Sequence, residues 1–148
     1  MRCTHLGRVV VALIAALALS SCQKYSSAEQ TEHPAKLEPV EGSHLIKVIL
    51  TERAMERINL KTDVVREVPV RSNAEKRKVV PYGALIYDPQ GETWIYISPE
   101  PRTFMRHRVA VDYIEGNRVV LKEGPPAGTV VASVGVAELY GTEFKVGH

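Results

Sequence analysis

The sequence predicts a mainly β protein: a small antiparallel β-roll or barrel-like domain with one short α-helix near residues 51–58. Three observations predict it. Short runs rich in branched and aromatic residues recur from His44 onward, and that is the composition of strands. Turn signals separate these runs: Asp88-Pro89-Gln90-Gly91, Gly116-Asn117 and Gly124-Pro125-Pro126-Ala127-Gly128, in which Pro, Gly, Asn and Asp supply the backbone angles of reversals. A helix start signal occurs at Thr51, ahead of residues with helical spacing.

The first residues precede this domain and read as a secretory signal. Arg2 and Arg8 are basic, Val9 to Leu19 is apolar, and Leu19-Ser20-Ser21-Cys22 follows. Basic start, apolar middle and small residues before a cut are the order of an export signal. The apolar run is about half of the ~20 residues that a membrane-spanning helix needs. Ser20 and Ser21 lead directly into Cys22, in the manner of a bacterial lipobox. Residues 1–21 are therefore expected to be a lipoprotein signal peptide. Cys22 is expected to carry the lipid and to begin the processed chain, held to a membrane by its acyl chains. Cys3 falls in the discarded part, so no internal disulfide is expected.

Charge narrows the partners. Removing Arg2 and Arg8 leaves 17 Lys and Arg against 17 Asp and Glu. A balanced chain lacks the basic excess of a nucleic-acid binder, so no nucleic-acid partner is expected. Residues 22–43 carry Ser, Glu, Gln, Pro and Gly with few large apolar side chains. Such a segment has little to offset the entropy of ordering. It is read as a flexible tether, leaving residues 44–148 as one folded domain of modest core.

The elements of that domain follow in order. His44 to Leu50 is a strand run. Thr51 offers an N-cap hydroxyl and Glu52 a first-turn negative charge. Ala54, Met55 and Ile58 share a helical face, and Asn59 suits the left-handed residue that ends a helix. Leu60 to Val70 is extended, with Pro69 confining it to an edge or a strand end. Ser72 to Lys78 reads as a polar loop. Tyr82 to Asp88 and Glu92 to Ser98 flank a type I turn with a glycine bulge. Thr103 to Glu115 reads as one long strand. Gly116-Asn117 turns it into Arg118 to Lys122. Thr129 to Val134 is apolar on both faces, which predicts burial. Val136 to Tyr140 is expected to make one helical turn stopped by Gly141.

The run from Val79 onward resembles the C-terminal, membrane-proximal part of periplasmic adaptor subunits, or membrane fusion proteins, of RND-type and heavy-metal efflux systems. Val80, Pro81 and Ala84 match the family's opening strand, and Trp94 to Ile97 match its second. Phe104, Arg108 (or Arg106) and Val109 match the third segment. Gly124, Gly128, Val130, Val131 and Gly135 match the last, with Pro125 where leucine is usual. The stretch Leu50 to Val65 is similar to the family's opening segment in heavy-metal adaptors. The few residues Ser72 to Lys78 stand where the family carries its lipoyl-like domain and α-helical hairpin. The resemblance therefore implies a β fold, an envelope setting and contact with a transporter, without the family's reach across two membranes.

Chemistry is weighed against plainer accounts. No Gly-x-Ser-x-Gly, phosphate loop or His-Glu-x-x-His is present, so no catalytic residue and no cofactor is expected beyond the lipid on Cys22. His33, His44, His107 and His148 read as surface histidines. No metal site is expected either. Met105 and His107, two apart on one strand face, are the nearest approach to one, in a setting made cationic by Arg106 and Arg108. Met55 reads as core. Trp94, Tyr96, Arg102, Arg106 and Arg108 are the candidate partner-binding residues, the plainer account being core for the aromatics and a solvated face for the arginines. Lys76-Arg77-Lys78 adds a second positive patch.

The expected function is that of a noncatalytic envelope lipoprotein facing the periplasm, docking on an efflux transporter or related complex. The alternative is a periplasmic carrier of metal or a small ligand. Gln23 is not the Asp that retains lipoproteins at the inner membrane in enteric-type sorting. The outer membrane is therefore expected, although lipid-anchored pump adaptors usually stay on the inner one.

Overall fold

A computed structural model describes residues 33–69 and 75–145. The signal sequence, Cys22, the first part of the expected tether and His148 lie outside the described residues. Among the described residues, eleven strands and two α-helices follow in order. Strands β1 (Ala35–Pro39) and β2 (Ile46–Leu50) precede helix α1 (Glu52–Arg57). Then come β3 (Lys61–Val64), β4 (Arg66–Pro69), β5 (Lys76–Pro81), a 3-10 turn (Tyr82–Ala84) and β6 (Ile86–Tyr87). β7 (Thr93–Glu100), β8 (Thr103–Arg108), β9 (Ala110–Glu115), β10 (Arg118–Glu123) and β11 (Val130–Val134) lead to α2 (Val136–Phe144).

The fold is the small antiparallel β domain that the sequence indicates. One sheet runs in the order β1-β2-β8-β7-β11-β3, with β6 pairing β7; the other runs β4-β5-β10-β9. Strand alternation gives the larger sheet two different faces. Val48, Leu50, Tyr96, Phe104 and Ala132 join Ala54, Val136 and Leu139 in one core, beneath the two helices. Ile95 and Val131 point the other way and join Val65, Val80, Val109, Val119 and Leu121 in a second core. Val131 and Ala132 thus serve opposite faces. The double-sided apolar pattern of β11 predicts that, although Val130 and Val134 at its ends are exposed.

Helix α1 forms as its residues dictate. Thr51 Oγ1 accepts from the Ala54 N–H at 3.2 Å. At the far end Asn59 is left-handed, with φ of 49°. The Asn59 N–H donates to Glu56 O at 3.0 Å and the Leu60 N–H to Met55 O at 2.9 Å. This pair of bonds is the Schellman closure. The Asp88 turn also matches expectation. The Gly91 N–H donates to Asp88 O at 2.9 Å, and Gly91 has φ of 81°.

Several expectations fail for identifiable reasons. Residues 35–39 of the expected tether are strand β1, paired along its length with β2 from Ala35↔Leu50 to Pro39↔Ile46. Ala35 and Leu37 pack against the helix-covered core, and a turn at Glu41-Gly42 returns the chain. Lys76 to Lys78 of the expected polar loop belong to β5, held by β10 and β4; residues 72–74 of that loop lie outside the described residues. The expected strand at Tyr82 begins instead with the 3-10 turn, because Gly83 lies against the backbone of Ser133. The expected strand 103–115 divides at Val109 into β8 and β9, one in each sheet. The Val109 N–H donates to Thr93 O at 3.0 Å and Thr93 Oγ1 donates to Val109 O at 2.7 Å. Gly141 does not stop α2, which runs on to Phe144.

Candidate functional site

The densest grouping of polar and aromatic side chains lies where α2 crosses the centre of the larger sheet. Register builds it. Trp94 pairs with Arg108 and Tyr96 with Arg106 across β7 and β8, so all four share the helix-covered face. Arg106 Nε donates to Glu143 Oε1 at 2.9 Å, and the Tyr96 hydroxyl donates to Glu143 Oε2 at 2.5 Å. Arg106 is 9 % exposed and Glu143 3 %. Burial, then the bonded carboxylate, drives the Tyr96 phenol far above its usual range, so it stays a neutral donor.

Aromatic rings enclose the cation. The Arg106 guanidinium carbon lies 4.7 Å from the centroid of Trp94 and 4.7 Å from that of Phe144. A guanidinium over ring faces gains from their quadrupoles. Tyr140 stacks on Phe144 with centroids 4.6 Å apart. Trp94 Nε1 donates to Asp88 Oδ2 at 3.0 Å, and the Gln90 and Glu92 N–H groups donate to Asp88 Oδ1. Burial pushes the Asp88 carboxyl up. The Trp94 bond, the two backbone bonds and the Arg106 charge outweigh that and leave it below its ordinary value.

The sequence candidates divide sharply. Tyr96 and Arg106 are buried, which corrects their reading as contact residues: α2 covers them, and β7 has strands on both sides. Trp94 is half-buried. Arg108 is exposed and bonded to Glu92. Arg102 is exposed in the β7–β8 turn, with φ of 62°, and its carbonyl accepts from the Leu50 N–H at 2.9 Å. The second basic patch is broken up by pairing. Arg77 bonds Asp112 at 3.0 Å, and Lys78 Nζ donates to Gly124 O at 2.8 Å. Met105 and His107 do share a face of β8, opposite Ile97 and Ile95, on the side of the second core. Burial, then the Lys78 charge, lowers the His107 pKa. Among the described residues no three His, Cys, Asp or Glu side chains converge on a metal position.

Glu143, Phe144, Tyr140 and Asp88 were not among the sequence candidates. The i, i+4 spacing of Tyr140 and Phe144 is a signal of a shared helical face. Nothing local marks Glu143, whose partners are 37 and 47 positions away.

A second feature is a cleft of about 700 Å³ between α1, α2 and the β1–β2 pair. Its lining is largely apolar, including Leu37, Leu50, Ala54, Ile58 and Ala137. Among the described residues no helix is long and apolar enough to cross a membrane. No protein-family profile matches the chain, and no curated protein matches it.

Proposed function

We propose that the chain is a noncatalytic envelope lipoprotein whose β domain docks on an efflux transporter or a related envelope complex. Its signal-like start and Cys22 support the anchoring, and the resemblance of Val79 to Leu139 to membrane-proximal adaptor segments supports the partner class. The observation that carries the docking is the rigid aromatic edge of the Arg106 cluster. Phe144 is 45 % exposed while its ring lies against a buried, ion-paired guanidinium. Trp94 is half-buried beside exposed Arg108. Tryptophan, aromatic and arginine side chains held in fixed positions are what interface hot spots use, because little freedom remains to be lost on binding. The lipid would raise the local concentration of this edge at the membrane.

Crosslinking in the native host, followed by purification of a tagged full chain at native level, tests this reading. A transporter component is expected with the unaltered chain, and much less with Phe144→Ser combined with Arg108→Glu. Circular dichroism of the variant checks that it folds. Recovery of no envelope transporter component with the unaltered chain would refute the proposal.

A further inference from the structure

The cleft between the helices lies apart from the Arg106 cluster and has a chemistry of its own. At about 700 Å³ it falls within the range of small-molecule sites, roughly 300–1,000 Å³. Small side chains open it: Ala54 on α1, and Ala137 with Gly141 one turn apart on α2. Leu37, Leu50 and Ile58 supply apolar wall. Its charged lining is cationic on balance. Arg57, Lys145 and His33 share that lining with one carboxylate, Glu138. Arg57 and Lys145 are exposed, and neither has an ion-pair partner among the described residues.

We propose that this cleft binds a single-chain amphiphile with an anionic head, of the class of a long-chain fatty acid. The hydrocarbon lies on Leu37, Leu50, Ala54 and Ala137, and the carboxylate meets Arg57 and Lys145. Apolar walls provide most of the affinity, at about 0.8 kcal/mol per buried methylene, and the two cations set orientation and choice of head. This binding is independent of the docking edge around Phe144. Its failure would leave the docking proposal standing.

The test uses the full chain reconstituted in lipid nanodiscs and a photoreactive, clickable palmitic acid, with cross-linked peptides mapped by mass spectrometry. Label is expected on the segments around Leu37, Ala54 and Ala137, and excess palmitate should compete for it. The methyl ester, which lacks the charge, should compete about tenfold less well, the loss expected for one charge-assisted contact. Ala137→Trp, at an exposed lining position, should abolish the label by filling the cleft. Arg57→Glu with Lys145→Glu should reduce it about tenfold while leaving the thermal transition in place. Three results would overturn the proposal: label spread evenly over the domain, label unchanged in Ala137→Trp, or equal competition by acid and ester. A cross-link from the cleft to a second copy of the chain in place of the probe would overturn it too.

Discussion

Arg106 and Glu143, 37 residues apart, form a buried ion pair at 2.9 Å that fastens the last turn of α2 to the middle of the larger sheet. Both oxygens of the carboxylate are bonded: Arg106 Nε donates to one and the Tyr96 hydroxyl to the other. Burying two charges is costly, and such a pair is tolerated only when its remaining hydrogen-bonding capacity is met. Removing one partner is therefore worse than removing both.

Glu143→Ala should destabilise the domain by about 3–5 kcal/mol, because it strands a buried guanidinium. Arg106→Met with Glu143→Leu should cost far less than the sum of the single changes. Tyr96→Phe, which removes one bond to a charged acceptor, should cost about 1.5–3 kcal/mol. Urea unfolding followed by the emission of Trp94, the single tryptophan of the chain, measures all of these. Additive single and double effects would show that the pair is not coupled.

The two ends of α1 give smaller effects. Thr51→Ala should cost about 1 kcal/mol through loss of the N-cap bond. Asn59→Ala should cost about 1–2 kcal/mol, since alanine is strained in the left-handed region. Asn59→Gly should be neutral or stabilising there. Thermal unfolding of the three variants orders them.

Gly83 is needed for space. A Cβ at this position would sit 2.7 Å from the Ser133 carbonyl oxygen, a backbone atom with no rotamer to yield. Gly83→Ala should destabilise by about 1–3 kcal/mol, the usual range for overpacking. Adding Ser133→Gly should give no rescue, because the clash is with main chain. Full rescue would place the clash on the side chain instead.

His107 makes stability depend on pH in one direction. Burial first, then the Lys78 charge, holds its folded pKa below the ordinary 6.5. Below pH 6.5 the unfolded chain takes up a proton that the folded chain refuses. The contribution is thus present in full above pH 6.5 and is lost as pH falls through the lowered folded value. His107→Gln should flatten that part of the stability profile. NMR titration of the ring should give a midpoint below 6.5. An ordinary midpoint would remove the effect.

Local rules made much of the fold legible. Thr51 and Asn59 bound α1 because capping chemistry is written in adjacent residues. Asp88 to Gly91 closes its hairpin for the same reason. What escaped was fixed by distant partners. Gly141 lies inside α2 because Glu143 and Phe144 are held by Arg106, and that contact overrides the weak helix preference of glycine. Leu37 joins a strand because β2 offers an edge, which composition alone does not reveal. Val109 splits the strand expected from Thr103 to Glu115 because Thr93 captures both of its backbone groups. The candidate site was legible only in part. Trp94 and Arg108 keep exposed surface, while Tyr96 and Arg106 are spent on an interaction whose third member, Glu143, carries no local sign.

Among the described residues the chain passes between the two sheets four times, and two of these crossings run through a single interior valine. Val65 links β3 to β4 and Val109 links β8 to β9; both belong to the second core. The Val65 N–H donates to Thr129 O at 2.9 Å, and the Gly128 N–H donates to Val65 O at 2.8 Å. Neither layer can peel away without dragging a stitched, buried residue into water. A pull on one layer is therefore carried to the other along the main chain at these crossings.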